Sequence, residues 1–246
     1  MDEMGTRLLF LFSLAMVLLA PAGKAQQAAQ KQSTPSSSSS SSARHAGKAA
    51  PKEGPPLDTG SVTNGLYRNA GFGFACKIPA GWVLRTEEMN AREDEPAVPA
   101  KDSAPKPLNS APAPAERGRV LLAAFSRPPE AKAEDVNSSI LIVAESAASY
   151  PGLKEAAQYF GPVAEIAKAQ GFEVINEPYE FVQGTKTIVR GDFQRDVGTR
   201  MMWQSTLVIL ARGYVVSLTF IGGTEDEVED FIEGLSFGVE ARPRYR

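Results

Sequence analysis

Along this chain the spacing of apolar side chains changes several times, and each change marks an element. Between positions 72 and 78 the period is two: Phe72, Phe74, Cys76 and Ile78 share one face, Gly73, Ala75 and Lys77 the other. That alternation predicts a half-buried strand. A short strand at 66–68 and a tight turn at Asn69-Ala70-Gly71 complete a hairpin, and a Pro79-Ala80-Gly81-Trp82 corner follows it. Residues 82–85 read as a short edge strand. Two runs, 119–126 (RVLLAAFS) and 138–145 (SSILIVAE), are apolar at most positions and predict central strands covered on both faces.

At 151–170 the period lengthens. Leu153, Ala156, Ala157, Phe160, Val163, Ala164 and Ala167 recur every three or four residues, the stripe of an amphipathic helix. Pro151 suits its first turn and Gly171 its C-cap, while Gly161-Pro162 predicts a kink or a split. Segments 172–181, 185–195, 201–211 and 214–220 return to strand patterning and predict an antiparallel meander. Pro178 marks an edge strand, Gly191-Asp192 a bulge, and Arg212-Gly213 a tight turn. The stretch 224–235 predicts a last helix, with Thr224 as N-cap and Glu227 three residues on. Glu225, Asp226 and Glu227 suit its positive end; Val228, Phe231, Ile232 and Leu235 form its stripe. The expected fold class is α+β, an antiparallel β-sheet with helices packed on it.

Segments without period divide the 246 residues. The apolar run 8–22 is shorter than the about 20 residues that span a bilayer and has the size of a signal-peptide core. Gly23 and Ala25 offer the small residues that a signal peptidase reads, so 1–25 is expected to be a signal peptide, with retention as an anchor the alternative. The expected location is exported, periplasmic or extracellular, with no stable membrane span after cleavage. Residues 26–64, with an uninterrupted serine tract at 36–42, have the composition of a disordered spacer. One domain is expected over 65–239, interrupted by a disordered Pro-rich insertion at 86–118 and followed by a basic tail at 240–246.

The candidate chemistry is sparse. A formal net charge of −3 speaks against nucleic acid as a partner. The single cysteine, Cys76, allows no internal disulfide and falls on an apolar face, as a small buried hydrophobe does. The single histidine, His45, lies in the spacer, so a Ser-His-Asp triad or a histidine-based zinc site is not expected. Glu173, Glu177, Glu180, Asp192 and Asp196 read as surface charge. Asn137-Ser-Ser matches an N-glycosylation sequon, which matters only in a eukaryotic secretory route. No catalytic residue, cofactor or metal ligand is assigned, and the chain is expected not to be an enzyme. Aromatic side chains favour recognition surfaces, and Trp82, Tyr179 and Trp203 are the candidate partner-binding residues. Tyr150, Tyr159 and Tyr214 could join them or fill the core.

An opening pattern of Tyr67, Gly71-Phe72 or Gly73-Phe74, Ile78-Pro79 and Gly81-Trp82 resembles the start of PsbP-like domains. Gly213-Tyr214, the acidic helix and Ser236-Phe237 resemble their close. That family includes the extrinsic photosystem II subunit, DcrB-like bacterial envelope proteins and a eukaryotic Ran-binding factor. The resemblance implies an α/β/α sandwich and a binding or assembly role without catalysis; the 86–118 insertion departs from it, and no functional residue carries over. The expected function is an exported, non-catalytic binding or assembly module of the cell envelope, whose partner is an unknown envelope protein. The alternatives are a carrier of a small apolar ligand held between helix and sheet, or a carboxylate-dependent hydrolase.

Overall fold

The computed structural model describes residues 57–94, 118–131, 135–184 and 186–238. The segment expected as a signal peptide (1–25), the expected spacer up to residue 56, positions 95–117 and residues 239–246, which hold the expected basic tail, lie outside the described residues. A hairpin opens the fold: β1 (Ser61–Thr63), β2 (Leu66–Asn69) and β3 (Phe74–Lys77). Then follow β4 (Val83–Leu84), α1 (Thr86–Asp94), β5 (Arg119–Phe125), β6 (Ser139–Ser146) and α2 (Ala157–Ala169). The chain continues with β7 (Glu173–Gln183), β8 (Lys186–Val197), β9 (Arg200–Ala211) and β10 (Tyr214–Gly222), and closes with α3 (Glu225–Glu233) and β11 (Leu235–Phe237). A seven-stranded sheet has the order β4-β5-β6-β10-β9-β8-β7, and a four-stranded one the order β1-β2-β3-β11. Every pairing is antiparallel. The α+β class expected from the sequence is therefore the class observed. Among the described residues no helix is long and apolar enough to cross a membrane.

The large sheet is buried on both faces, which is why β5 and β6 are apolar nearly throughout. One face carries Ile140, Ile142, Ile188, Leu207, Ile209, Leu218 and Phe220, and packs on the small sheet (Phe74, Cys76) and on Val228 of α3. The other carries Val189, Phe193, Val208 and Val215, and packs on Phe160, Val163, Ile166 and Ala167 of α2. Met89 of α1 packs on Val120, Ala123, Phe125 and Val143. The period-two face of the opening strand is buried as read: Phe72, Phe74, Cys76 and Ile78 all lie in the core. At Arg212-Gly213 both residues have positive φ, 54° and 80°, the backbone of a tight hairpin turn that glycine at its second position relieves.

Four expectations need correction. The folded part starts before residue 65. Asp58 accepts hydrogen bonds at its side chain from the Gly60 and Gly71 amides (2.9 and 2.6 Å) and at its carbonyl from Asn69 (2.8 Å), while Tyr67 donates to the Thr59 carbonyl. These bonds fasten 57–60 to the first hairpin. The insertion expected at 86–118 begins with a helix, α1. Polar anchors hold it beside the apolar Met89: Asn90 exchanges two hydrogen bonds with the Val120 backbone (2.9 and 3.0 Å), and Thr86 Oγ1 accepts from the Ala123 amide (3.0 Å). The helix expected over 151–170 begins at Ala157, after Pro151, and it runs through Pro162 as one element, so the split is not observed. Finally, the bulge expected in β8 falls in its partner, where the pairing shifts between Val174 and Asn176 and again between Asn176 and Tyr179.

Candidate functional site

Strand β7 is one edge of the large sheet, and it differs from the other edge in length and composition. The opposite edge, β4, is two residues long and leads directly into α1. β7 is eleven residues long with the sequence EVINEPYEFVQ, three acids and no base. Val174 packs against the α2 side and Phe181 against the main core, which fixes the strand on the sheet. The other large side chains stay in water: Ile175 is 36% exposed, Tyr179 44% and Val182 69%.

Beneath this edge lies a charged network that joins β8, β9 and α3. Arg190 Nε donates to Asp192 Oδ1 (2.8 Å), Nη1 to Glu229 Oε2 (3.1 Å), and Nη2 to Ser205 Oγ (3.2 Å) and to Glu229 Oε1. Ser205 Oγ in turn donates to Asp192 Oδ1, and Asn176 of β7 to Oδ2 (3.3 Å). Asp192 is only 6% exposed, so the reading of surface charge at this position is corrected. Loss of water acts to lower the Arg190 pKa, but the hydrogen bonds it donates to Glu229 and Asp192 outweigh that and hold the guanidinium charged, above its usual range. One cation balances two carboxylates, which leaves the network net negative. Ser205 is held in orientation between a guanidinium and a carboxylate, and among the described residues no imidazole stands beside it to take its proton. Ile175, Trp203, Val228 and Glu225 rim a small open cleft over the network, with about 250 Å³ of space including its mouth.

The three aromatic candidates are only partly brought together. Tyr179 stands directly across from Arg190 in the β7–β8 pairing, and partial loss of water raises its phenol pKa. Trp203 lines the cleft. Trp82 packs edge-on against Phe231 of α3 (5.1 Å between ring centres, 78° between planes) and, like Trp203, lies against the main core, but it does not line the cleft. Tyr214 likewise packs edge-on against Phe72.

A second polar cluster was not singled out from the sequence. Glu145, 5% exposed at the end of β6, accepts hydrogen bonds from Tyr150 (2.7 Å) and Tyr159. Burial first, then the nearby carboxylate, pushes the Tyr159 pKa well above its usual value. The signal was available: Glu145 continues the alternation Leu141, Val143 on a strand that is otherwise apolar. Asn137 of the sequon donates its Nδ2 to the Arg127 carbonyl (3.1 Å), holding a loop. Among the described residues no group of three or more His, Cys, Asp or Glu side chains is placed to hold a metal ion.

No protein-family model matches the sequence, and no curated protein matches it. Solved structures similar to this chain include a Pseudomonas aeruginosa protein of unknown function, at 19% identity over 42% of this chain and 69% of that one, with a TM-score of 0.32. Cyanobacterial PsbP from Synechocystis is similar at 14% identity over 70% of this chain and 91% of its own, with a TM-score of 0.39. LpqN of Mycobacterium tuberculosis, described as involved in cell envelope biogenesis, is similar at 14% identity over 67% and 83%, with a TM-score of 0.32.

Proposed function

We propose that this chain is an exported, non-catalytic binding or assembly module of the cell envelope, and that a partner protein docks on the edge strand β7, which pairs with β8 alone among the described residues. The observation that carries the reading is the distribution of exposed apolar side chains. Of the five large hydrophobic residues exposed among the described residues, three, Ile175, Tyr179 and Val182, stand on this one strand. Apolar groups gathered on an accessible edge are a recognition feature, because burying them releases water while the strand's backbone offers unpaired donors and acceptors. The apolar run at 8–22 supports export. The carrier reading has less support, because the layer between α2 and the sheet is filled: the Phe160 ring lies where a Cβ on Gly191 would come within 2.6 Å of it. The hydrolase reading needs two facing carboxylates, and Asp192 is tied to Arg190, Ser205 and Asn176.

The test is crosslinking and capture from native cell envelopes, using the exported chain and a variant with Tyr179→Ala and Val182→Asp. One dominant partner, retained by the natural chain and lost by the variant, is the expected result. Absence of any envelope partner with the natural chain would overturn the proposal.

A further inference from the structure

The β7 edge has two unlike halves, and the difference indicates what covers it. In the first half the pairing with β8 shifts register twice, and Pro178 removes a backbone donor. Bulges, proline and charge are the devices that keep an edge from adding another strand. The second half has no bulge and no proline. Residues 179–183 pair one for one with 190–186: Tyr179 with Arg190, Glu180 with Val189, Phe181 with Ile188, Val182 with Thr187, and Gln183 with Lys186. That is a regular template for a further strand. Its side chains alternate, with the rings of Tyr179 and Phe181 on one face, 6.2 Å apart, and Glu180 and Val182 on the other.

Charge then selects the occupant. β7 carries Glu173, Glu177 and Glu180 with no lysine or arginine, and all three acids are exposed. Among the described residues none of the three has an ion-pair partner. Glu225 and Glu229 of α3 border the adjoining cleft, where the one cation, Arg190, is already matched by Asp192 and Glu229. A second copy of this chain would add acids to an edge that already carries three and no base, and the like charge disfavours that pairing. A basic strand meets the opposite situation, with Glu180 exposed and carrying no ion-pair partner among the described residues.

We infer that the partner element is an extended segment bearing alternating lysine or arginine side chains, which adds as a strand along residues 179–183. The inference rests on the docking role proposed above and names the chemistry of its partner. Backbone hydrogen bonds supply the register, the basic side chains meet Glu180 and cover Val182 with their methylene stems, and the residues between them pack on Tyr179 and Phe181.

The test titrates the exported chain, followed by amide NMR at physiological salt, with two synthetic peptides, acetyl-VKVKVKV-amide and acetyl-VEVEVEV-amide. The lysine peptide is expected to shift the amides of 179–183 and slow their hydrogen exchange, and the glutamate peptide to leave them unchanged. A Glu180→Lys, Val182→Lys variant, altered only at exposed positions, is expected to keep its melting temperature. It is expected to bind the lysine peptide about tenfold more weakly or worse, and to gain affinity for the glutamate peptide. Equal binding of both peptides, shifts confined to another surface, or undiminished binding by the variant would overturn the inference. Self-association of the natural chain that the variant abolishes would overturn it too, by assigning the edge to a second copy. An envelope protein captured equally by the natural chain and the variant would overturn this inference while leaving the module reading intact; capture by neither would overturn the module reading itself.

Discussion

Arg190 and Asp192 are two residues apart on a strand, so their side chains emerge on the same face. That face is the one on which Ile188 is buried, and the pair is therefore carried under α3, away from most of the solvent. Removing the cation strands a buried carboxylate, a loss of about 3–5 kcal/mol. Arg190→Leu is expected to lower the unfolding free energy by that order in urea titration. Glu229→Gln removes a partner whose side chain is 43% exposed and is expected to cost about 1 kcal/mol or less, since water replaces much of the bond. Similar losses for the two variants would show that Asp192 is solvated and that the network is not a strut. At Glu145 the argument is one of donors: Tyr159→Phe leaves a buried carboxylate oxygen without its tyrosine hydroxyl, at about 1–3 kcal/mol in the same titration. An unchanged midpoint would mean that another group takes over the bond.

Elements whose signal is apolar period were legible in the sequence, and those held by polar anchors were not. The alternation 72–78 is buried as read, and Phe160, Val163 and Ala167 of the helical stripe are buried too, although Ala157 is exposed and Tyr159 and Ile166 take buried places beside them. α1 has one buried apolar anchor, Met89, and its other fastenings are Thr86 and Asn90 bonded to β5 backbone groups. Such bonds depend on a strand more than twenty residues away in sequence, and no local pattern displays them. The candidate site divides in the same way. Pro178 announced an edge strand, and Tyr179 and Trp203 lie near the cleft, whereas the ion pairs of Arg190 depend on which face β8 presents to α3. Gly191 read as a bulge, but its role is contact between elements: α2 lies on the sheet so closely that a Cβ there would meet Phe160 Cε1 at 2.6 Å. Gly191→Ala is therefore expected to destabilise by about 1–3 kcal/mol through overpacking. Adding Phe160→Leu to it is expected to recover part of the loss, because the smaller side chain gives the methyl group space. Equal costs with and without that second change would mean that the strand, not the helix contact, requires glycine.

At the scale of the whole molecule, the core holds weak acids that can ionise only when it opens. Burial pushes Tyr67 and Cys76 up to about 12, from 10.0 and 9.0 respectively, and Tyr159 well above its usual value. These groups are neutral in the fold. Below about pH 9 the unfolded chain is protonated at them too, so they contribute nothing to the pH dependence. From about pH 9 upward the unfolded chain releases protons that the folded chain keeps. Unfolding then becomes easier by about 1.4 kcal/mol per pH unit for each group that has titrated only in the unfolded chain. The slope starts with the thiol near pH 9 and steepens as the phenols join it near pH 10. Urea unfolding measured from neutral pH to about pH 11 is expected to show this two-stage loss of stability. Cys76→Ala adds a cavity, so its absolute stability is uninformative, but its curve is expected to lack the first stage and keep the second. A Cys76→Ala curve parallel to that of the natural chain across pH 9–10 would mean that the thiol ionises in the folded core. Cys76 would then be an accessible, reactive group, open to alkylation without unfolding.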